Sequence, residues 1–351
     1  MAKKRVVGLD IGTTAVRAAE IEFGGDPRPG RGTLVRFAEV GLPLGAIRDG
    51  EVTDATAVTS ALKQLWSEGK FQSKDVIVGI GNQRVVVREL SLPWMPMHEL
   101  RASLPYQVSD MLPMSTSDAL LDFFPTDEVS GPDGRTVEGL LVAAVKDSVS
   151  ANVLAVESAS LRPVMVDLNA FALLRGMGGM LVAGQTTALV DIGARITNVV
   201  IVEDTVPRFV RTLPYGGQDA TDAVARALSI SNADAERVKR EIGVGFAPRP
   251  EHTEAAEALR YVSQNLVESV VSSFSYYTQQ GGQISQLALS GGGSYLPGLG
   301  QYIASAARLK TVLGDPFGTV QLGRSAGSRE SFAGREAQMV IPIGLAHGAA
   351  A

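Results

Sequence analysis

The pattern of apolar and polar residues changes its period along the chain, which indicates a mixture of strands and helices. Residues 6–10 and 15–23 have the composition of strands and flank the turn residues Gly12, Thr13 and Thr14, so the chain is predicted to begin with a β-hairpin. Further on, a helix is predicted after residue 53 or 54, because apolar residues recur every three or four positions on one face: Val58, Ala61, Leu62, Leu65 and Trp66. We therefore expect an α/β fold.

The same two periods continue through the rest of the sequence. Further strands are predicted at residues 34–40, 76–80, 85–92, 120–124, 137–145, 163–167, 188–203 (a strand–turn–strand) and 286–289. Further helices are predicted at residues 97–111, 148–160, 170–177, 218–228, 232–242, 255–280, 298–307 and 343–350. The segment 314–336 is predicted to consist mainly of loops.

One short motif occurs twice in this plan. The Asp-Ile-Gly triplet at residues 10–12 is repeated at residues 191–193, each time in the turn of a predicted hairpin. The correspondence continues in register to Glu22 and Glu203. Two matched halves that each begin with an acidic β-turn indicate a duplicated α/β unit around a single cleft.

Composition excludes several classes of protein. The 32 basic and 37 acidic residues give a net charge of −5, which removes nucleic acid as the default partner. Without cysteine the chain has no disulfide and no thiolate metal site, and the three histidines lie far apart in the sequence. Residues 269–307 carry no charge but are rich in Ser, Gln, Tyr and Gly, so we expect no membrane span.

A hairpin turn with the sequence Asp-x-Gly-Thr-Thr is suited to phosphate. Gly12 lets the backbone approach a bulky anion, and successive N–H groups with the hydroxyls of Thr13 and Thr14 supply donors. A carboxylate beside a phosphate would repel it unless a divalent cation lay between them, so Asp10 implies Mg²⁺ bound through waters, with Asp191 on the opposite wall. The alternative is that a single such turn carries Asp and Gly only for its geometry.

A second chemical signal follows the strand at residues 286–289. Three glycines, Gly291, Gly292 and Gly293, come directly after it and precede a predicted helix. Alone, such a run is equally typical of a flexible loop or of the entry to a helix. After a strand and beside two phosphate turns, it is better explained by the close passage of a flat ligand such as adenine or ribose.

These three segments together resemble the actin–Hsp70–sugar kinase superfamily. Within it, the segments 93–100, 118–123 and 161–173 resemble the PilM family of actin-like type IV pilus assembly proteins. The resemblance implies a duplicated actin-like (ribonuclease H-like) fold, with two half-repeats around a nucleotide cleft and a small α+β insertion subdomain. The implied boundaries are 1–80 and 163–187 for the first half, 81–162 for the insertion, 188–339 for the second half and 340–351 for a C-terminal helix that packs back.

The resemblance also implies a site for ATP and Mg²⁺, with Asp10 and Asp191 at the metal. The residues that match the family's motifs are, for the first phosphate site, Asp10, Gly12, Thr13, Thr14 and Arg17; for the second, Asp191, Gly193 and Ala194, with Thr197 nearby; for the turn that closes on the nucleotide, Gly216 and Gly217; for the surroundings of the adenosine, Glu236, Lys239 and Arg240; and for base and ribose, Gly291, Gly292, Gly293 and Ser294. The three helical charges equally fit a solvated helix face.

One residue departs from the family's pattern. Relatives commonly have a carboxylate where this chain has Asn169, and an amide cannot accept a proton from water at neutral pH. Asp167 is the other candidate for a catalytic base, although it also suits the cap of the next helix. Hydrolysis of ATP is therefore expected to be slow or absent.

The resemblance implies a cytoplasmic scaffold at the inner face of the membrane. Such a scaffold would recruit the cytoplasmic N-terminal tail of PilN and meet other platform proteins and the motor, and self-association stays open. The alternatives are an FtsA-like division protein, which needs a basic amphipathic C-terminal helix that the sequence lacks, and a sugar kinase, which needs an aspartate base between the phosphate motifs. A structural relative that has lost its nucleotide is disfavoured by the intact glycines.

The insertion is predicted to carry the docking surface for the tail. Its apolar residues include five that we expect to be exposed, because so small a subdomain has little interior: Leu92, Trp94, Met95, Met97 and Met111. A Met- and Trp-rich surface next to a strand edge favours an extended peptide. The tail is accordingly expected between the insertion and the first half.

Overall fold

A computed structural model describes residues 4–24, 31–132 and 134–350; the remaining residues of the predicted halves and insertion (1–3, 25–30, 133 and 351) lie outside this range. The strands are β1 (Lys4–Ile11), β2 (Ala15–Phe23), β3 (Gly32–Gly41), β4 (Ile47–Arg48), β5 (Glu51–Val52), β6 (Asp75–Ile80), β7 (Val85–Pro93), β8 (Ala119–Gly131), β9 (Gly134–Val145), β10 (Arg162–Leu168), β11 (Thr186–Ile192), β12 (Thr197–Glu203), β13 (Val206–Leu213), β14 (Gln286–Ser290), β15 (Lys310–Leu313) and β16 (Val320–Leu322). The helices are α1 (Ala55–Gly69), α2 (Met97–Gln107), α3 (Lys146–Ser158), α4 (Asn169–Gly176), α5 (Gly217–Leu228), α6 (Asn232–Ile242), α7 (Thr253–Gln279), α8 (Leu299–Ala307) and α9 (Glu336–His347).

Two sheets repeat the same strand order. The first runs β10-β6-β1-β2-β3-β16, and the second, read in the matching direction, runs β15-β14-β11-β12-β13. In each sheet a hairpin pairs antiparallel, and its first strand pairs parallel to the next strand outward. The duplication predicted from two triplets therefore extends to the topology of whole sheets.

Both faces of each sheet are buried. Successive residues of a strand point to opposite sides of the sheet, and in these strands the residues on both sides are mainly apolar. In the first sheet, Val7 and Leu9 of β1 pack toward α1 and α3, whereas Val6 faces the opposite side. In the second sheet, one face packs against α5, α6, α7 and α8, and the other joins Val6 in a shared core. This arrangement makes each half a covered sheet of the α/β type.

Helices α4 and α9 lie in the shared core between the two sheets. They approach so closely that a Cβ on Gly344 would stand 1.8 Å from the carbonyl oxygen of Ala172. A Cβ on Gly176 would likewise stand 2.3 Å from the carbonyl oxygen of Val340. Glycine is required at this crossing by the close approach of the two backbones rather than by backbone dihedrals.

The insertion is a separate three-stranded sheet, in the order β7-β9-β8, with α2 packed on it. It has a small core of its own that includes Leu92, which is 4% exposed, and Met95 and Met97 pack against that core. The expectation that five apolar residues are exposed is therefore wrong for these three, because α2 and the sheet do enclose an interior. Trp94 and Met111 are exposed.

Three element boundaries differ from the predicted domains. Helix α3 lies within the predicted insertion of 81–162, but its apolar face packs on α1 in the first half, so the insertion sheet ends at Val145. Strand β16 lies within the predicted second half, 188–339, but pairs parallel to β3 in the first sheet. The C-terminal helix begins at Glu336 rather than at 340 or 343 and continues through Pro342, because its apolar residues are buried on nearly all sides.

Most other predicted elements agree with the structure to within a few residues, but strand β8 continues to Gly131 instead of ending at residue 124, and β13 and β15 were not predicted. Asp54 caps α1 by accepting a hydrogen bond from the backbone N–H of Ala57 at 2.9 Å, and the buried face of the helix is the predicted one. Helix α2 ends at Gln107 instead of residue 111.

In the described part of the chain, no helix is both long and apolar enough to cross a membrane.

Candidate functional site

The two Asp-x-Gly turns face each other across a cavity of about 550 Å³ between the halves. The turn between β1 and β2 contributes one wall, and the turn between β11 and β12 contributes the other. Residues predicted from the sequence that line this cavity are Asp10, Gly12, Thr13, Thr14, Arg17, Asn169, Asp191, Gly193, Ala194, Gly217, Glu236, Lys239, Arg240, Gly291, Gly292 and Gly293. The fold thus brings together segments that are far apart in the sequence.

The two turns have the same local geometry. The N–H of Gly12 donates to the carbonyl oxygen of Ala15 at 3.0 Å, and the N–H of Gly193 donates to that of Ile196 at 2.9 Å. A Cβ on Gly193 would stand 2.7 Å from the latter oxygen, so the tight turn requires glycine. Both aspartates stand immediately before the turn and pair in register with polar residues of the returning strand.

Two buried carboxylates, Asp10 and Asp191, dominate the electrostatics of the cavity. Burial raises the pKa of Asp10 above its ordinary value, although the guanidinium of Arg17, 3.7 Å away, acts in the opposite direction. Burial and the neighbouring charge of Asp10 raise the pKa of Asp191 to about 6. Arg17 also pairs with Glu39, so one cation faces three carboxylates.

This donor set fits a single divalent cation. Two buried carboxylates that repel each other are stabilised by a bound cation, and Mg²⁺ is usually held by one or two protein carboxylates together with waters and phosphate oxygens. Among the described residues, no group of three or more His, Asp and Glu side chains is placed to enclose a metal by itself. A cation here would accordingly be completed by a ligand's own oxygens.

A hydrogen-bonded network forms the wall contributed by α5 and α6. The buried Nζ of Lys239 lies 2.6 Å from Oε2 of Glu236, 2.9 Å from Oγ1 of Thr221 and 3.0 Å from the carbonyl oxygen of Gly217. Burial lowers the pKa of Lys239; burial also acts to raise that of Glu236, but the hydrogen bonds from Lys239 and Thr221 outweigh it and lower that pKa. Arg240, in contrast, is exposed.

The glycine segment after β14 closes the base of the cavity. Gly291 has φ of +80°, and a Cβ there would stand 2.3 Å from the carbonyl oxygen of Ile192. A Cβ on Gly293 would stand 2.5 Å from Cγ2 of the same isoleucine. Ser294 is buried and donates to the carbonyl oxygen of Gly291 at 2.6 Å, so it holds the loop and does not line the cavity.

Two other predicted residues also support the site without lining it. Thr197 is fully buried and donates to the carbonyl oxygen of Tyr215 at 2.8 Å. A Cβ on Gly216 would stand 2.4 Å from the carbonyl carbon of Ala194, so this glycine packs directly on the second turn. Both residues therefore fix the loop at 214–217 against the cavity wall.

Asn169 and Asp167 occupy different places. Asn169 is the first residue of α4 and lines the cavity, and its Oδ1 is buried without a hydrogen-bond partner among the described residues. Gly79 makes room for it, because a Cβ there would stand 2.2 Å from that oxygen. Asp167 does not line the cavity and pairs with Arg175 instead, so it is not placed beside Asn169 at the site of the proposed chemistry.

Several polar residues of the cavity were not predicted. They are Glu39, Asn198, Gln218, Thr221, Asn232 and Gln338. Asn198 could have been found from the repeat, because it pairs with Asp191 as Arg17 pairs with Asp10. The others come from elements whose approach to the cavity depends on tertiary packing, and the sequence carries no local signal for them.

A second surface lies on the far side of α4. Phe124 of β8 packs against Phe171 of α4, with ring centroids 5.0 Å apart. Phe171 stands three residues after the end of β10, so Phe124 of the insertion lies near that end of the first sheet. Both strands expose large apolar side chains: Leu120 and Phe124 on β8, and Val164 and Met165 on β10. We call these four residues the apolar edge.

A model of the family described as type IV pilus assembly protein PilM matches residues 8–348. Among solved structures, the PilM–PilN type IV pilus biogenesis complex is similar with a TM-score of 0.87 and 25% identity, covering 99% of this chain and 98% of that one. The match thus includes the insertion as well as both halves.

More distant structures share the fold alone. The ethanolamine utilization protein EutJ of Carboxydothermus hydrogenoformans has a TM-score of 0.59 and 16% identity, covering 99% of this chain and 90% of that one. MreB5 of Spiroplasma citri bound to ADP has a TM-score of 0.55 and 13% identity, covering 97% and 94%. The cell division protein FtsA of Bacillus subtilis (strain 168) is 20% identical over 264 residues, or 68% of this chain, and the match spans 58% of that protein's length.

Proposed function

Because the chain belongs to the PilM family of type IV pilus assembly proteins and has an actin-like duplicated fold, we propose that it is an ATP-binding scaffold that recruits the cytoplasmic N-terminal tail of PilN. In this proposal it acts in the cytoplasm and reaches the inner face of the membrane through its partners, which include other platform proteins and the motor. The observation that carries the nucleotide part is the pair of Asp-x-Gly turns that face each other across one cavity.

Each wall of the cavity has its own part in nucleotide binding. Bound Mg²⁺ would supply the positive charge that lets phosphates lie beside Asp10 and Asp191. The turn at residues 12–14 offers backbone N–H groups and two hydroxyls to the phosphates, and the turn at 193–194 faces it from the second half. The bound ADP of the similar MreB5 structure supports a nucleotide in such a fold, while ATP and Mg²⁺ are our more specific proposal.

The wall formed by α5 and α6 suits the adenosine. Lys239 and Glu236 are held in fixed positions by their mutual hydrogen bond and by Thr221, so this wall is a preorganised polar surface that loses little side-chain entropy when a ligand binds. The glycine segment at 291–293 leaves an open floor on which a flat base has room to lie. Arg240 at the rim is exposed and is the least constrained member of this group.

The apolar edge is the proposed site for the tail. Two of its residues belong to the insertion and two to the first half, the two parts between which the sequence had led us to expect the tail, although these residues differ from the five that we had named. The outer strands β8 and β10 offer unpaired backbone groups, so an extended peptide gains main-chain hydrogen bonds as well as apolar contacts. The similarity to the PilM–PilN complex over nearly the whole chain supports this partner.

The first test concerns ATP. Replacing Asp10 by Ala removes a carboxylate of the proposed metal site, and Thr14→Val removes a donor to phosphate without changing the shape of the side chain. A hydrogen bond to a charged group contributes roughly 1.5–3 kcal/mol, so we expect each change to weaken Mg-ATP binding about tenfold or more in calorimetry.

Thr59→Val is the matched control for this test. Thr59 belongs to the same half, but its hydroxyl donates to the carbonyl oxygen of Ala155, far from the cavity. Its variant should bind Mg-ATP as the wild type does. An unchanged affinity in Asp10→Ala would contradict the assignment of the phosphate site.

A further inference from the structure

The insertion belongs to the first half in the sequence but also contacts the second half. Strand β7 lies against β13, the outer strand of the second sheet. Arg208 on β13 donates to Asp127 on β8 of the insertion, and its Nε donates to Glu203 on β12 at 2.9 Å. Arg208 therefore connects a carboxylate of the insertion with one of the second half, and we call the contact between Arg208 and Asp127 the cross-half bridge.

The same strand of the insertion is also tied to the helix between the halves. Phe124 stands three residues before Asp127 on β8 and packs against Phe171 of α4, with ring centroids 5.0 Å apart. Two residues before Phe171, Asn169 reaches the nucleotide cavity. Strand β8 thus contacts α4 through one side chain and the second half through another.

These two attachments make β8 sensitive to the angle between the halves. The nucleotide cavity is lined by both halves, so a ligand that contacts Asp10 on one wall and Lys239 on the other favours one particular angle. If the halves rotate apart, β13 moves away from the first sheet, and the cross-half bridge draws β8 with it. The position of β8 relative to Phe171, and with it the shape of the apolar edge, changes as a result.

We propose that nucleotide and tail bind cooperatively, and that the cross-half bridge transmits part of the coupling between the cavity and the apolar edge. This proposal rests on the proposed function, because it assigns a form of regulation to the same two sites. Nucleotide holds the halves together, keeps β8 against Phe171 of α4 and so tightens binding of the tail. By linkage, the tail tightens nucleotide binding by the same factor.

The size of the effect follows from the exposure of the bridge. Arg208 is 29% exposed and Asp127 is 44% exposed, so this is a surface ion pair. Such pairs contribute at most about 1 kcal/mol, which corresponds to about a fivefold change in affinity. Neither residue lines the nucleotide cavity or belongs to the apolar edge, so its removal changes the coupling and leaves each site itself intact.

The experiment measures tail affinity with and without saturating Mg-ATP. The probe is a fluorescent synthetic peptide with the N-terminal cytoplasmic sequence of the PilN partner, read by anisotropy on the full-length chain. In the wild type we expect Mg-ATP to tighten tail binding about fivefold. The ratio of tail affinity with Mg-ATP to tail affinity without it should fall toward one in Arg208→Ala, in Asp127→Ala and in the double variant. The double variant should lose no more of this coupling than either single variant does.

Arg237→Ala is the matched control. Arg237 also forms a surface ion pair in the second half, with Asp234 at 3.2 Å, but both residues lie on α6 and do not contact the insertion. Its variant should keep the wild-type ratio. Equal tail affinity without nucleotide in the wild type and Arg208→Ala would show that the bridge is not needed to form the apolar edge.

The outcomes separate this proposal from the one on which it rests. If either ligand fails to bind the wild-type chain on its own, the proposed function is contradicted, and the coupling with it. If both bind but the ratio is one in the wild type, the two sites are independent and the coupling proposal alone is overturned. If the wild type shows coupling that survives intact in both single variants, the cross-half bridge does not carry it.

Discussion

Asp167 and Asn169 are separated by a single residue in the sequence but have opposite surroundings in the fold. Asp167 turns its carboxylate to Arg175, whose Nε also donates to the carbonyl oxygen of Gly344 at 3.0 Å. Asn169 faces the cavity with a buried oxygen that has no hydrogen-bond partner in the described part of the chain. The residue with the chemistry of a base thus lies outside the cavity, and the residue inside it lacks that chemistry.

We therefore expect this chain to hydrolyse ATP very slowly. Proton transfer by a positioned side chain is typically worth ~10²–10⁴ in rate, and Asn169→Asp should recover part of that factor in phosphate release under single-turnover conditions. Asp167→Asn should leave the rate unchanged because its carboxylate lies outside the cavity. A wild type that turns over several times per second would contradict this account.

The residues that the sequence predicted best are those whose chemistry and backbone geometry coincide. Gly12, Gly193 and Gly291 sit in tight turns beside acidic or polar groups, and that combination is visible as a short motif. Thr221 and Gln338 reach the cavity from α5 and α9, where nothing in the local pattern distinguishes them from other polar helix residues. Cavity residues were therefore missed because they are distant in the sequence from the recognisable motifs, and not because of their residue type.

Among the elements, β10 and β15 hold equivalent outer positions in the two sheets. Met165 on β10 and Leu313 on β15 are large apolar residues exposed to a similar extent, 41% and 43%. Only β10 lies next to α4 and so next to Phe124 of the insertion. The duplication therefore supplies a matched control for the proposed tail site.

Met165→Asp should weaken binding of the PilN tail by about tenfold or more, since burying a methionine side chain contributes about 1.5–3 kcal/mol and a buried carboxylate adds a desolvation cost. Leu313→Asp should have no effect on the tail, and neither variant should alter Mg-ATP binding. Fluorescence anisotropy with the tail peptide is the measurement. Equal tail affinity in both variants would remove β10 from the docking site.

The elements also show where sequence patterns mislead. Helix α6 was predicted at its observed bounds, and in the structure Ser231 is its N-cap and Gly243 its C-cap. The last helix was predicted at residues 343–350, but α9 begins at Glu336 and contains Pro342, a residue that normally interrupts a helix. A helix buried almost all round has no polar face to reveal its period, and tertiary packing then outweighs the local signal.

On the scale of the whole molecule, the shared core contains one titratable group that bears on stability, His347 at the end of α9. It is fully buried against Phe23, Nδ1 donates to the carbonyl oxygen of Ile343, and Nε2 has no hydrogen-bond partner among the residues that the structure describes. Burial lowers its pKa to about 4 from 6.5. The folded chain therefore keeps this imidazole neutral at pH values where the unfolded chain binds a proton.

This group's contribution to stability is present above pH 6.5 and is lost as the pH falls from there toward 4. Between pH 8 and pH 5 the loss should be about 2 kcal/mol in the free energy of unfolding by urea. The raised carboxyl pKa values of Asp10 and Asp191 act in the opposite direction, so the comparison must be with His347→Phe. Between pH 8 and pH 5, His347→Phe should lose less unfolding free energy than the wild type, by the amount due to the imidazole. If the unfolding free energies of the two proteins depend on pH in the same way, the prediction is contradicted.

The duplicated architecture was the most predictable property of the whole molecule, because two triplets in register already implied it. The assignment of segments to halves was less predictable. Strand β16 and helix α9 come late in the sequence but complete the first sheet and the shared core, and neither has a motif that records this return. Their positions depend on the path of the chain in space.

That returning path has a consequence for the order in which the protein is made. A ribosome releases the chain from its N-terminus, and domains generally fold as they emerge. The first half cannot follow that rule, since β3 lacks its neighbour β16 and the inner face of β1 lacks its cover until α9 has been synthesised. Of the two halves, it is therefore the second, whose strands and covering helices lie together between residues 186 and 313, that can complete its sheet first.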